Sequence, residues 1–218
     1  VVEREEPDIV ALQEIDRGRK RTAGEDQTRL IARYLEMYHH FHPAMAVEEG
    51  GYGDAILSNL PLEVVKSGIL PYRRSWLVDE PRGALWIRID IGGGQQLQVF
   101  NTHFGIWKRE RLLQAGALLG GDWLQSPACQ GPVLVCGDFN STPGSAVCQR
   151  FKTRFRDIQD HLAAHKPLGT FTSPFPFHRI DHIFTSEHFE VESIRIPRTR
   201  LARISSDHLP LVVDLALS

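Results

Sequence analysis

In "VLVCGDFNSTP" (Val133–Pro143), apolar residues lead directly into Gly137, Asp138, Phe139 and Asn140, and then into a Ser-Thr-Pro turn. A short apolar run closed by Gly and turn residues reads as a buried β-strand. Side chains alternate along a strand, so Asp138 and Asn140 leave one face together. A carboxylate and a carboxamide converging where a buried strand ends point to a ligand.

The same pattern recurs outward along the 218 residues. Asp8–Ile15, Asp54–Asn59, Ala84–Asp90, Gln96–Phe104, Arg179–Phe184, Phe189–Ile196 and Pro210–Leu217 read as strands. "EDQTRLIARYLEMYHH" reads as a helix on the spacing of Leu30, Ile31, Tyr34, Leu35 and Tyr38. "KRERLLQAGALLGGDWLQ" reads as a second helix. Many strands with few helices predict two packed sheets with helices outside.

A formal net charge of −2 gives no global basic field for a polyanion. Cys129, Cys136 and Cys148 lack the spacing of a zinc site or a disulfide framework. Cys136, inside the apolar run, reads as a small buried hydrophobe. No apolar stretch is long enough to span a bilayer. His39, His40 and His42 read as surface residues.

Five segments put polar side chains beside apolar strands: "LQEID" with Glu14, "NTH" with Asn101 and His103, "GDFN" with Asp138 and Asn140, "RIDHIF" with Asp181, and "SDHLP" with Asp207 and His208. The set is chemically coherent. Carboxylates prefer a hard divalent cation, carboxamides donate to phosphoryl oxygens, and imidazoles handle protons near neutral pH.

These motifs, in this order, resemble those of the endonuclease/exonuclease/phosphatase superfamily, the deoxyribonuclease-I-like metal-dependent phosphoesterases. The resemblance implies an α/β protein, a four-layered α/β sandwich of two mixed β-sheets flanked by helices, with the site at one end. It implies Glu14 as the principal Mg²⁺ ligand, Mn²⁺ being the substitute, and Asp207 as a further metal-side carboxylate. Asp138 would orient or deprotonate water, Asn140 would hold the water or a phosphoryl oxygen, and Asp181–His208 would stand at the scissile phosphate. His103 is implied as the second imidazole on the phosphate, and Asn101 as part of the same cluster.

The family pattern opens with an Asn-bearing strand and a helix. Residues 1–218 thus read as a single domain truncated at its N-terminus, lacking the first strand and part of the first helix. "GDAILS" carries Asp54 where the family has Asn; it supports His103 or the metal, or is a solvated turn residue. Arg82 in "EPRGAL" is a candidate phosphate contact, the alternative being surface. Phe171, Phe175 and Phe177 meet a base or a lipid, or pack as a loop.

The expected function is a magnesium-dependent phosphodiesterase on a small or lipid-derived phosphodiester, working as a monomer. A nuclease is the alternative, on the basic runs at Arg17–Arg21 and Arg195–Arg203. A non-catalytic binding domain on the same fold is the second. A cytoplasmic location is favoured.

Overall fold

The structure is a computed structural model and describes residues 1–47, 49–72, 80–162 and 165–218. Among these, strands β1 (Ile9–Arg17), β2 (Tyr38–Val47), β3 (Gly50–Ser58), β4 (Leu62–Ile69), β5 (Gly83–Asp90) and β6 (Gln96–His103) occupy the first half. Strands β7 (Val133–Asp138), β8 (Arg156–Asp157), β9 (Asp181–Thr185), β10 (Phe189–Arg195) and β11 (Val212–Leu217) follow. The helices are α1 (Gln27–Leu35), α2 (Lys108–Leu118), α3 (Ala146–Lys152), α4 (Ile158–His161) and α5 (Arg200–Ser205).

A six-stranded sheet, ordered β4-β5-β6-β7-β9-β8, forms one inner layer. It is mixed, because β6 and β7 run parallel between antiparallel neighbours. Period-two alternation sends successive residues of β5 to opposite faces, and both faces are buried. Ala84 and Trp86 join Phe100, Phe104, Phe139, Phe151 and Phe184 under α2 and α3. Leu85, Ile87 and Ile89 meet Ile56 and Phe189 on the other side. That second inner layer comes in two antiparallel pieces, β1-β3-β2 and β10-β11. Helix α1 closes the outside of the first piece through Ala32 against Val10, Phe41 and Leu57. The result is the expected four-layered sandwich.

Local readings differ in several places, and the second helix ends at Leu118, not Gln125. The first helix ends at Leu35, not His40. Glu36 takes a left-handed conformation (φ 57°) and its N–H bonds back to Ala32, which stops the helix. Tyr38 onward then pairs along the whole of β3, so strand pairing overrides the helical spacing. Consequently His42 is buried in β2, not on the surface. Strand β4 and helix α3 escaped the reading, since β4 is a half-exposed edge strand and α3 is only seven residues long.

Gly137 makes the site-bearing sheet possible. Its φ is +135°, and a Cβ there would stand 1.8 Å from the Thr102 carbonyl oxygen on β6. No side chain fits without parting the two strands. Gly137→Ala is expected to cost about 3 kcal/mol or more. At roughly 2–4 °C per kcal/mol this is a Tm drop of about 6–12 °C in a thermal melt. Gly121→Ala, with open space around it, should leave Tm unchanged.

Candidate active site

Parallel β6 and β7 deliver their ends to one level, with His103 directly opposite Asp138. Antiparallel β9 begins at that level, with Asp181 opposite Asp138. Three neighbouring strands thus present an imidazole and two carboxylates in a row. The fourth member arrives on a loop. His208 is held by backbone pairing of its neighbour Leu209 to Thr170 and by the Phe171 ring, whose centroid lies 4.8 Å from the imidazole.

Asp138 is the centre. Its Oδ1 accepts the Asn140 backbone N–H at 2.7 Å. Its Oδ2 lies 3.3 Å from His103 Nε2 and 4.0 Å from His208 Nε2. Burial alone would push this carboxyl up. The bonds from His103 and Asn140 and the charge of His208 win, and hold it below the usual carboxylate range. Asn140 turns through a left-handed conformation (φ 46°). Its Nδ2–H donates to the Phe104 carbonyl at 2.8 Å, with the nitrogen 3.2 Å from His103 Nε2.

His208 Nδ1 donates to Asp181 Oδ2 at 2.8 Å, and the same oxygen accepts the Thr170 hydroxyl at 2.5 Å. Burial opposes charge on the ring. The Asp181 bond and charge outweigh it, with Asp138 and Asp207 adding, and raise the imidazolium to about 9.

On the other side of Asp138 stands Glu14. It sits in a bulge where the β1–β3 register shifts between Leu12 and Ile15, and its φ is +59°. The bulge turns the carboxylate out of the sheet; Oε1 lies 3.7 Å from Arg82 and 3.9 Å from His103 Nδ1. Arg82 Nη1 meets His103 Nδ1 at 3.0 Å. Arginine only donates, so Nδ1 accepts and the ring N–H lies on Nε2, facing Asp138.

Glu14, Arg82, His103, Asp138, Asn140, Asp181 and His208 therefore come together. Two residues do not join them as expected. Asn101 is fully buried two positions below His103. Its Nδ2 donates to the Leu12 and Ala55 carbonyls and its Oδ1 accepts from Gln13, so the carboxamide is engaged between the layers. Asp207 is exposed beside His208, and what anchors it is its backbone carbonyl, bonded to Ser173 N–H at 2.6 Å. The close donor cluster is instead Asp138, Asp181 and His208, whose ligand-type atoms lie within 4.8 Å of one another. Arg82, the candidate phosphate contact, is buried, lines the crevice beside Glu14 and bonds to Glu80 (3.2 Å) and His103.

Of the two readings left open for Asp54, burial excludes the solvated turn, and two further residues, Tyr52 and His182, went unread. Asp54 is buried, with one oxygen unpartnered, and lines a crevice with Glu14, Tyr52, Arg82 and His103. Burial pushes its carboxyl up to about 7, against the pull of His103 and Arg82. Tyr52 lines the same crevice as Glu14. His182, next to Asp181 in sequence, donates Nε2–H to the Ser141 carbonyl at 2.8 Å and so pins the loop that carries Asn140. Its Nδ1 faces buried Asp157 at 3.6 Å. Burial disfavours the His182 cation; Asp157 and Cys148 prevail and raise it to about 9. The only sequence signal was the His of "RIDHIF".

The His208–Asp181 pair sets a pH expectation. The imidazole pKa is raised above the ordinary value of about 6.5. Its contribution to stability is full below that value and is lost as pH rises through about 9. An NMR titration of the His208 ring in metal-free protein should give a midpoint well above 6.5, and Asp181→Asn should bring it back toward 6.5. An unshifted midpoint in the unmodified protein would contradict the pairing.

The sequence profile of the Endonuclease/Exonuclease/phosphatase family matches residues 1–208. The uncharacterized protein YbhP of Escherichia coli K12 is 32% identical over 173 residues, 78% of this chain and 64% of that protein. The chain thus spans less than two thirds of this curated relative's length. Among solved structures, a conserved protein of unknown function from Enterococcus faecalis V583 superposes with TM-score 0.79 at 23% identity, over 100% of this chain and 88% of that one. The human Nocturnin catalytic domain with bound sulfate superposes with TM-score 0.73 at 25% identity, over 100% and 83%. The chain belongs to the endonuclease/exonuclease/phosphatase family.

Proposed function

We propose that the protein is a divalent-metal-dependent phosphoester hydrolase, acting on a small or lipid-derived phosphodiester. One observation carries the reading: an ionised, buried carboxylate, Asp138, between two imidazoles, one of them held cationic by Asp181. A base beside an acid, with environments that push their pKa values apart, is what hydrolysis needs. The sulfate in human Nocturnin, a tetrahedral anion in a related fold, supports a phosphoryl-shaped ligand.

The donor set fits a hard cation. Glu14 is half exposed beside the buried, unpartnered Asp54 oxygen, and the described lining of their crevice offers oxygen donors and one imidazole but no thiol. Glu14, with Asp54 behind it, would hold Mg²⁺ or Mn²⁺. Such an ion supplies neutralisation of charge growing on the phosphoryl oxygens. The chain does the rest. Asp138 Oδ2 accepts the proton of the attacking water, and Asn140 orients that water. His208 donates Nε2–H toward the departing oxygen, its tautomer fixed by Asp181. His103, its Nδ1 occupied by Arg82, keeps an N–H aimed at Asp138.

The basic runs behind the nuclease reading are partly engaged, while Arg198, Arg200 and Arg203 stay exposed. Arg19 and Arg21 both bond to Asp16, and Arg195 to Asp214. Among the described residues no helix is long and apolar enough to cross a membrane.

A panel of a chromogenic diester, a monoester, a lipid diester and nicked DNA, each with and without Mg²⁺, tests the proposal. Metal-dependent turnover of the diesters is expected. Turnover of DNA alone would favour a nuclease, and none at all a binding domain. Asp138→Asn and His208→Ala should each lower kcat by about 10²–10⁴-fold. Combining His208→Ala with Asp181→Ala should add little, because the pair acts as a unit. Glu14→Gln should raise the Mg²⁺ concentration needed for half-maximal rate while leaving the melting temperature intact; an unchanged metal requirement would remove Glu14 from that role.

A further inference from the structure

Two segments beside His208 expose apolar side chains that the chemistry above does not use. Phe175 (69% exposed) and Phe177 (83%) lie on the loop before β9, and Leu201 (46%) and Ile204 (72%) lie on α5. In α5 the spacing of three puts Leu201 and Ile204 on one side, while Ala202 turns inward to Ile196 and Leu209. The segments are joined. Ser173 donates its hydroxyl to the Arg203 carbonyl at 3.0 Å and its backbone N–H to Asp207. They are also fixed to the site, through the Thr170 bond to Asp181 and the Phe171 ring on His208.

The charge on α5 and the segment leading into it is basic, with exposed Asp207 just beyond its end. From Arg195 to Ser206 there are four arginines and no acidic residue. Arg195 is engaged by Asp214 and Glu5. Arg198, Arg200 and Arg203 are exposed and have no ion-pair partner among the described residues. Exposed Ile106 and Trp107, followed by Lys108 and Arg109, leave the sheet at the same end just after His103. Aromatic and aliphatic side chains set among arginines suit the interface of an anionic bilayer, the apolar groups entering the headgroup region and the guanidiniums meeting lipid phosphates. Phe175, Phe177 and Trp107 could stack on bases, but the aliphatic Leu201 and Ile204 beside them have no flat face and suit a bilayer better.

Resting on the phosphodiesterase reading, we propose that Phe175, Phe177, Leu201 and Ile204, with Arg198, Arg200 and Arg203, dock the protein on an anionic lipid bilayer. The substrate is then a phosphodiester headgroup presented at that surface. The docking residues make no contact with the reacting atoms. Their role is to bring Asp138 and His208 to the headgroup level.

The test separates docking from catalysis. Binding is read by co-sedimentation with phosphatidylcholine vesicles, with or without an equal part of phosphatidylglycerol, in chelator-containing buffer. The protein should pellet with the anionic vesicles and not with the neutral ones. Phe175→Ser/Phe177→Ser/Ile204→Ser and Arg200→Glu/Arg203→Glu should each weaken that binding at least about tenfold. Both variants should keep the melting temperature and the turnover of the soluble chromogenic diester. The proposal is overturned if anionic vesicles do not pellet the protein, or pellet the variants equally well. It is also overturned if the same substitutions instead abolish binding of a single-stranded oligonucleotide or break a dimer of two copies. Absence of metal-dependent turnover on any soluble ester would sink the phosphodiesterase reading alone, and the sedimentation result would stand apart from it.

Discussion

Everything at the site hangs on the register between β6 and β7. Thr102 faces Gly137 and His103 faces Asp138. A slip of one residue would turn each side chain to the opposite face and separate imidazole from carboxylate. Glycine at 137 lets the two backbones close up where the polar side chains emerge. Just past the strand ends, Phe104 N–H bonds to the Asp138 carbonyl at 2.8 Å and Phe139 N–H to that of Ile180 at 2.9 Å. Three strands thus end together, and the aromatic cluster of Phe104, Phe139, Phe151 and Phe184 beneath them keeps that end rigid.

Charge alternates across the site. Asp181, His208, Asp138, His103 with Arg82, and Glu14 with Glu80 follow one another. A buried carboxylate such as Asp138 is costly unless paired and hydrogen-bonded. Its two imidazoles and the Asn140 N–H meet that condition. The two shifts also diverge, with Asp138 held low and His208 raised to about 9. A wide pH window follows in which base and acid coexist in their working forms. Because each group's charge depends on its neighbours, removing one member alters the protonation of the rest.

The strand-end carboxylates and imidazoles were legible because they interrupt apolar runs, and the sandwich was legible from alternating runs and few helices. What escaped depends on conformation rather than residue type. Nothing in "LQEID" announces that Glu14 takes a positive φ in a bulge. Asp54 was flagged by its departure from the family's Asn, but whether it is buried beside Glu14 or solvated in a turn is decided by the pairing of β1 with β3. His182 was hidden by its neighbour: "RIDHIF" offers Asp181 and His182 side by side, and alternation sends one to His208 and the other inward to Ser141. The overlong helix reading failed because Tyr38 continues the helical spacing while β3 supplies a full set of backbone partners.

Asn101 shows what a polar residue within the motif does for the packing of the two sheets. Glu14 rides on β1, which belongs to the three-stranded sheet, whereas His103, Asp138 and Asp181 ride on the six-stranded sheet. Among the described residues no strand pairing joins the two sheets, so the distance from Glu14 to Asp138 is set by contacts across the sandwich. Apolar contacts there, such as Ile9 and Ile56 against Leu85 and Val99, are non-directional and fix separation better than register. The Asn101 carboxamide is directional. It bonds from β6 to the Leu12 carbonyl on β1, to the Ala55 carbonyl on β3 and to the Gln13 side chain beside Glu14. Replacing it would leave buried carbonyls unsatisfied, at about 1–3 kcal/mol each, and would free β1 to slide. The carboxamide thus serves the chemistry at a distance, by holding the carboxylate of one sheet in register with the base and imidazoles of the other.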